Sequence, residues 1–238
     1  FGPIVYKVAY QEGVDRGAVA PINVEMYRIK QGRNCDGSKA VVRNRHGLWR
    51  NDYRNNVIAN LCKVIPPGEQ ALIIVATAEH AVRLHGLLPN WPVVFSTASK
   101  TVMKQIEAGK LAWVEGLEPS GAMAPEYREK RRKQFEAGSL KRAIATGVWN
   151  TGVDFTQLRW LVRADGMASE IQSVQTPGRL SRTSDDKFHG TLIDFMDEFD
   201  NGLKRRSYGR RRQYANMGWS IKMVDLETGQ ITDYSGAR

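Results

Sequence analysis

The sequence predicts an α/β fold in which a mostly parallel central sheet carries helices on both faces. The main observation is an alternation of strand-like and helix-like segments along most of the 238 residues. A second is the continuous apolar run at 71–76, which is typical of a strand buried on both faces of a parallel sheet. The chain length and a hydrophobic fraction of 42% support one large domain, or one domain with an appendage.

The expected strands are short segments rich in β-branched, aromatic or aliphatic residues. The run at 71–76 is set off by a turn of Pro66-Pro67-Gly68 on its amino-terminal side. Strands with these features are expected at 4–8, 22–27, 71–76, 93–95, 111–114, 142–145, 159–162 and 191–195. A polar, glycine-containing stretch at 31–47 is expected to be a loop or insertion.

The expected helices have apolar residues on one face or recognisable end signals. In the segment 52–63, Asp52 is placed to cap the helix, and Val57, Ile58 and Leu61 are spaced for one apolar face. A later segment has Pro125 in its first turn and Gly138 after its end. Helices are expected at 52–63, 78–88, 99–108, 125–137 and 169–174.

Positive charge is concentrated in two segments. The net charge is +10, with 35 Lys or Arg against 25 acids. Residues 28–63 hold nine basic residues and two acids, residues 201–238 hold eight and three, and the remainder is nearly neutral. Basic side chains neutralise phosphates and aromatic rings stack on bases, so the dense run at 204–212, with Tyr208 interleaved, predicts contact with a nucleic acid. The alternative is a solvated basic helix or tail. The basic residues of this run are Lys204, Arg205, Arg206, Arg210, Arg211 and Arg212.

The sequence carries no sign of secretion or membrane insertion. No run approaches the roughly 18 apolar residues of a membrane span. Cys35 and Cys62 are too few for a disulfide framework and lack metal-site spacing, which favours a reducing compartment. The first residues have neither Met nor a signal-peptide pattern. We therefore expect part of a longer chain, located in the cytoplasm and neither secreted nor bound to a membrane.

Two loops hold residues suited to a nucleotide. The segment 145–155 follows a predicted strand, is rich in glycine, and includes Asp154, whose carboxylate suits a ribose or an Arg. The segment 175–182 includes Arg179 and Arg182, which share one face if the segment is helical and together suit a triphosphate. Taken alone, an ordinary loop and a pair of surface arginines remain open as alternatives.

The order of these segments resembles the C-terminal RecA-like lobe of a superfamily 2 helicase, with the closest likeness to the UvsW-like and XPB-like DNA helicases. Residues 175–182 match the motif VI pattern Q-x-x-G-R-x-x-R, and residues 146–154 resemble motif V. Residues 71–77 resemble motif IV, and residues 128–146 resemble the stretch that leads into motif V. Residues 1–22 look like the segment that leaves the first lobe. The resemblance covers most of residues 1–215, and it implies a RecA-like three-layer sandwich.

The resemblance also implies roles for individual residues. Those that would face the γ-phosphate of ATP, two of them as arginine fingers, are Gln175, Arg179 and Arg182. Those that would lie near the nucleotide in the cleft between the lobes are Gly152, Asp154 and Gly178. Those that would contact the nucleic-acid backbone are Thr77, Arg128 and Thr146. Pro177 departs from the family pattern, so either the helix starts there or the motif VI geometry is altered.

The resemblance divides the chain into three parts. Residues 1–30 would leave the first lobe and enter the sheet, residues 31–200 would form the second RecA-like lobe, and residues 201–238 would form a basic C-terminal extension. The expected partners are DNA, with RNA as an alternative, and the first RecA-like lobe in the same or another chain. ATP and Mg²⁺ are the cofactors expected in the full two-lobed protein.

Two motifs of the complete motor are missing from the sequence. It contains neither a G-x-x-x-x-G-K-[ST] loop nor an Asp-Glu-x-[His/Asp] box. We therefore expect that the chain alone binds no ATP or Mg²⁺ and does not hydrolyse ATP. Two other functions stay open: a non-catalytic nucleic-acid-binding module on a degenerate RecA-like fold, and an unrelated nucleotide-binding α/β enzyme. The second has no acid/base or nucleophile constellation to support it.

Overall fold

The computed structural model describes residues 10–149, 155–167, 177–182 and 189–234, and within them eight strands form one sheet. The spatial order is β3-β4-β2-β5-β6-β1-β7-β8. All neighbours are parallel except β7 and β8, which are antiparallel. The strands are β1 (Ile22–Ile29), β2 (Gln70–Ile74), β3 (Val93–Val94), β4 (Arg142–Ala145), β5 (Leu158–Arg163), β6 (Gly190–Asp197), β7 (Ser220–Asp225) and β8 (Ile231–Asp233).

Helices connect these strands. The α-helices are α1 (Tyr10–Asp15), α2 (Ala40–Arg43), α3 (Asp52–Lys63), α4 (Ala78–Leu87), α5 (Lys100–Glu107), α6 (Pro125–Glu136) and α7 (Asn201–Asn216). Two short 3₁₀ helices cover Gly147–Trp149 and Pro177–Ser181, and a π-helix covers Asn44–Trp49. Among the described residues, no helix has the length and apolarity needed to cross a membrane.

The sheet separates two hydrophobic layers because side chains alternate along each strand. On β2, Ala71 and Ile73 pack on one face, whereas Leu72 and Ile74 pack on the other. The first face is covered by α3, α4 and α5, and the second by α6 and α7. The predicted α/β class, with a mostly parallel sheet and helices on both faces, is confirmed.

Several local expectations need correction. Asn51, and not Asp52, caps α3, because its Oδ1 accepts a hydrogen bond from the Arg54 amide at 3.0 Å. Residues 31–47 were expected to be a loop, but their second half forms α2 and most of the π-helix. Residues 111–114 form no strand. The segments expected at 4–8 and 169–174 lie outside the described residues.

The expected boundary near residue 200 does not divide the described chain into two bodies. Helix α7 packs on the sheet through Tyr214, and β7 pairs in parallel with β1 over Asn23–Arg28. Strand β1 therefore lies inside the sheet, between β6 and β7. The basic segment, as far as residue 234, is a structural part of the same lobe.

Candidate functional site

A cleft of about 400 Å³ lies where β2, β3 and β4 end. The residues that follow these strands line it: Thr77 after β2, Ser96 and Thr97 after β3, and Thr146 after β4. The three strands are adjacent and parallel, so their carboxyl ends meet at one edge of the sheet. The fold thus brings together Thr77 and Thr146, two of the three residues expected to contact a nucleic-acid backbone.

Two helices begin at the cleft. The Thr77 hydroxyl accepts a hydrogen bond from the His80 amide at 3.3 Å and caps α4. The Ser99 hydroxyl accepts one from the Val102 amide at 3.4 Å and caps α5. The first amides of a helix carry partial positive charge, so this wall of the cleft favours an anion such as a phosphate.

Thr146 is the other polar group at the centre of the cleft. The residue is 9% exposed, and its amide donates to the Val94 carbonyl at 3.0 Å. Within the described part of the chain, its hydroxyl has no hydrogen-bond partner. The hydroxyl is therefore placed to bond a ligand that enters the cleft.

Arg128 lines a second cleft of about 360 Å³, together with Val94, Val148 and Trp149. Each of the two clefts includes a residue from the end of β3 and one from the segment after β4. The buried Nε of Arg128 has no hydrogen-bond partner among the described residues. Arg128 therefore lies near Thr77 and Thr146 but does not share their cleft.

The described part of motif VI begins at Pro177, which starts a 3₁₀ helix at Pro177–Ser181. Proline suits this position because the first helical residue needs no backbone donor. Nη1 of Arg179 donates a hydrogen bond to the Trp149 carbonyl at 2.6 Å, and the guanidinium lies 5.7 Å from the Phe155 ring centre. Arg182 is exposed one residue beyond the 3₁₀ helix. Motif VI thus contacts the segment after β4 directly.

The structure says less about the other residues that the resemblance places near a nucleotide. A Cβ at Gly178 would meet no described atom within 4 Å, so packing does not require glycine there. Gly152, Asp154 and Gln175 lie outside the described residues. In the described part of the chain, no group of three or more His, Cys, Asp or Glu residues is placed to hold a metal ion.

Most basic side chains of the run 204–212 contact other residues of the fold. Arg210 is 1% exposed and donates two hydrogen bonds of 2.8 Å to Asp194, so its expected role in nucleic-acid binding is wrong. Arg206 is half-buried and donates to Asn44 Oδ1 at 2.6 Å. The Arg211 guanidinium lies 4.5 and 4.2 Å from the ring centres of Tyr208 and Tyr234.

Only part of the run stays open to solvent. Lys204 is half-buried, with its Nζ 5.9 Å from the Tyr208 ring centre. Arg205 and Arg212 are exposed. Because most of these side chains have partners inside the fold, the dense run is mainly structural.

The basic side chains of residues 28–63 are also partly engaged in ion pairs. Its ion-paired members are Arg28, Lys30, Arg43, Arg50 and Arg54. Its members that are exposed and make no ion pair with any described residue are Arg33, Lys39, Arg45 and Lys63. Arg45 is the one of these four that lines the cleft with Thr77 and Thr146.

Sequence reasoning missed several residues of the cleft. The polar ones that follow β3 were detectable, because they come directly after a predicted strand: Ser96, Thr97 and Ser99. No local signal pointed to Arg45 or Trp49, since the expected loop at 31–47 gave no indication of where it packs. These two reach the cleft only through the π-helix.

Comparison with known proteins places this geometry in context. No protein-family model matches the chain. Over 171 residues, 71% of the chain, the sequence is 26% identical to the ATP-dependent DNA helicase UvsW of Enterobacteria phage T4, and it spans 30% of that protein. The crystal structure of T4 UvsW matches with a TM-score of 0.51 at 18% identity, over 87% of this chain and 42% of that one.

Two further solved structures share the fold. A fragment of a putative HsdR subunit of a type I restriction enzyme from Vibrio vulnificus YJ016 matches with a TM-score of 0.60 at 18% identity. That match covers 98% of this chain and 42% of that one. The C-terminal domain of the DEAD-box protein Dbp5 matches with a TM-score of 0.52 at 15% identity, over 88% of this chain and 92% of that domain.

These likenesses confirm the resemblance to the C-terminal RecA-like lobe of superfamily 2 helicases. The chain spans most of an isolated C-terminal domain of this kind, but less than half of the longer proteins that it matches. The fold is RecA-like, with the antiparallel strand β8 added at one edge of the parallel sheet.

Proposed function

We propose that the chain is the C-terminal motor lobe of an ATP-dependent superfamily 2 DNA helicase or translocase. The observation that carries the proposal is the meeting of Thr77 and Thr146 in one cleft, beside the amino termini of two helices. The likeness to T4 UvsW, an ATP-dependent DNA helicase, supports the same function. In this role the cleft holds the sugar-phosphate backbone of DNA, and RNA is an alternative substrate with the same phosphate chemistry.

The contact between motif VI and the segment after β4 suggests how ATP and DNA are coupled. The Trp149 amide donates to the Thr146 carbonyl at 3.4 Å, and the Trp149 carbonyl accepts from Arg179. One short turn therefore joins the proposed backbone contact, Thr146, to the proposed finger, Arg179. A movement of Arg179 toward a phosphate would break or shift its bond to Trp149 and so act on Thr146.

The residues present fit one part of a nucleotide site. Arg179 and Arg182 offer guanidinium groups, which suit the oxygens of a triphosphate. When bound, ATP would supply the γ-phosphoryl group, whose charge Mg²⁺ and an arginine finger would stabilise. The sequence has no P-loop to cradle the phosphates, so we propose that the first RecA-like lobe supplies it, in the same chain or in a partner. The chain alone then has no ATPase activity.

The test uses the two-lobed protein, in which this chain is joined to its first lobe. DNA-stimulated ATP hydrolysis is measured for the parent protein and for Arg179→Ala, Arg182→Ala and Lys222→Ala. Loss of an arginine finger is expected to lower turnover by ~10²-fold or more. Lys222→Ala removes an exposed charge on β7, outside motif VI and outside the run 204–212, and is expected to leave turnover unchanged.

The outcomes separate this function from its rival. Unchanged turnover in both motif VI variants, with DNA binding retained, would support a non-catalytic nucleic-acid-binding module instead. ATP hydrolysis by the isolated chain that survives Arg179→Ala would contradict the claim that this lobe is inactive alone.

A further inference from the structure

We propose that the π-helix Asn44–Trp49 forms a third wall of the nucleic-acid cleft, where Arg45 binds a backbone phosphate and the Trp49 indole donates to a neighbouring backbone oxygen. This inference rests on the proposed function, since it takes the cleft of Thr77 and Thr146 as the path of a nucleic acid. It adds two contacts that lie outside motifs IV, V and VI.

The π-helix presents Arg45 and Trp49 on the same side. Both residues line the cleft. They are four positions apart, which is slightly less than one turn of a helix with i→i+5 hydrogen bonds. The helix has such a bond at its end, from the Arg50 amide to the Arg45 carbonyl at 2.9 Å. Because π-helices are rare and occur frequently at functional sites, this local geometry favours a binding role.

The Trp49 indole has an unused donor. Its Nε1 is buried, and no hydrogen-bond partner for it exists among the described residues. A buried donor without a partner destabilises the folded chain, so native proteins rarely keep one without a reason. Trp49 lines the cleft, so a turn of its indole toward the cleft would present this donor to an oxygen of a bound backbone.

The surroundings of the π-helix are strongly positive. Burial, together with the charges of Arg33, Arg50 and Arg45, lowers the pKa of His46, while Glu79 opposes this shift. Glu79 is itself paired with Arg50, at 2.5 Å. The acidic charge at this wall is thus already neutralised, and the exposed guanidinium of Arg45 is left to attract a phosphate.

The carboxyl-terminal end of the π-helix is held in place by α3 and α4. Nδ2 of Asn55 donates to the Trp49 carbonyl at 3.1 Å, and Oδ1 of the same side chain contacts Nε2 of His80 at 3.0 Å. Arg50, the next residue, is tied to α4 through Glu79. Because α4 begins at Thr77, the position of Trp49 is fixed relative to the proposed backbone contact.

The opposite side of the π-helix rests on α7. Nη1 of Arg206 donates to Asn44 Oδ1 at 2.6 Å. A Cβ at Gly47 would lie 2.6 Å from Cδ1 of Leu203, so glycine allows the two helices to approach closely. The basic helix α7 therefore supports the nucleic-acid wall from behind.

The test measures binding of the full chain to dye-labelled single-stranded and duplex DNA by fluorescence anisotropy, over a range of salt concentrations. Arg45→Ala is expected to weaken binding by about tenfold and to reduce the slope of log affinity against log salt by ~0.7 for single strands and ~0.9 for duplex. Trp49→Phe keeps an aromatic ring but removes the donor, so we expect about threefold weaker binding with an unchanged slope. The matched control is Lys63→Ala, which removes one exposed charge at the far end of α3.

The outcomes are distinct. A loss for Arg45→Ala with no loss for Lys63→Ala supports the proposal. Equal losses in both variants would show a general charge effect and overturn it. If Thr146→Val weakens binding while Arg45→Ala and Trp49→Phe do not, the π-helix inference fails and the proposed function stands. A parent chain that binds no DNA or RNA overturns both.

Discussion

Asp194 of β6 and Arg210 of α7 form an ion pair sealed inside the lobe. Nε and Nη2 of Arg210 each donate to the Asp194 carboxylate at 2.8 Å, and the two residues are 0% and 1% exposed. Three residues further along β6, Asp197 accepts from Nε of Arg54 at 2.8 Å on the other face of the sheet. The two pairs fasten α7 and α3 to opposite sides of one strand.

The Asp194–Arg210 pair predicts a large loss of stability in Arg210→Ala. Removal of the guanidinium leaves a carboxylate in a buried site, which costs about 3–5 kcal/mol when one partner of a buried pair is removed. We expect this decrease in the free energy of unfolding, measured by urea denaturation. Arg212→Ala, which removes an exposed charge from the same helix, is expected to change it by less than about 0.5 kcal/mol. Similar values for the two variants would show that the ion pair does not hold α7.

The substitution Arg179→Ala is expected to lower the free energy of unfolding by less than Arg210→Ala does. Its hydrogen bond to the Trp149 carbonyl is part of the contact between motif VI and the segment after β4. Arg179→Ala is expected to lower the free energy of unfolding by about 1 kcal/mol. Arg205, which is exposed on α7, serves as the comparison, and Arg205→Ala should cost less than about 0.5 kcal/mol. If Arg205→Ala costs as much as Arg179→Ala, the contact with Trp149 adds no stability.

Thr146 predicts a binding defect without a folding defect. Valine has nearly the same shape as threonine but lacks the hydroxyl. The Thr146 hydroxyl has no hydrogen-bond partner among the described residues, so its removal breaks no bond within them. A hydrogen bond to a charged phosphate contributes about 1.5–3 kcal/mol, so Thr146→Val should weaken nucleic-acid binding by about tenfold or more. The control is Thr232→Val on β8, away from the cleft. Anisotropy titrations measure both variants, and an unchanged Thr146→Val affinity would remove this residue from the interface.

His80 predicts a dependence of stability on pH. Burial, and then the charges of Arg54 and Arg83, hold the pKa of His80 well below its ordinary value of 6.5. Above pH 6.5 the histidine is neutral in both the folded and the unfolded chain. Below it the unfolded chain takes up a proton that the folded chain excludes, so stability falls as pH decreases, by about 1.4 kcal/mol per pH unit for this group.

The test compares the parent chain with His80→Gln by urea denaturation between pH 5 and 7.5. Glutamine can still donate to Asn55 but cannot be charged, so we expect a flatter pH profile below pH 6.5. Thr232→Val, which changes an exposed residue that carries no titratable group, should keep the parent slope. A parent-like slope in His80→Gln would assign the pH dependence to other groups.

Local sequence was enough to locate most helices and strands. Helix α3 covers the predicted 52–63, and α6 differs from 125–137 by one residue. These elements were predictable because their end signals, such as Pro125, act on neighbouring residues. Residues 111–114 were wrongly expected to form a strand. Their apolar surface is buried only in part: Val114 packs in the core, whereas Trp113 is 57% exposed.

The candidate site was only partly predictable. Thr77 and Thr146 were expected to contact a nucleic-acid backbone because the helicase resemblance implies that role for them. Arg45 and Trp49 were not, because their contribution depends on a π-helix that is positioned by residues distant in sequence, such as Asn55 and Arg206. Trp149 is 3% exposed and packs against Phe135 and Phe155, which are likewise distant in sequence from one another.

The sequence by itself determined the α/β class, the order of most elements as far as β6 and the likeness to a helicase lobe, because apolar patterns, turn residues and motif spacing are local properties. Only the tertiary structure decided which charges are available to a ligand. Arg210 and Arg45 are equivalent in composition, yet one is buried against Asp194 and the other faces the cleft. The physical reason is that a buried charge needs a partner, and the fold decides which side chains are buried and which oppositely charged groups lie beside them.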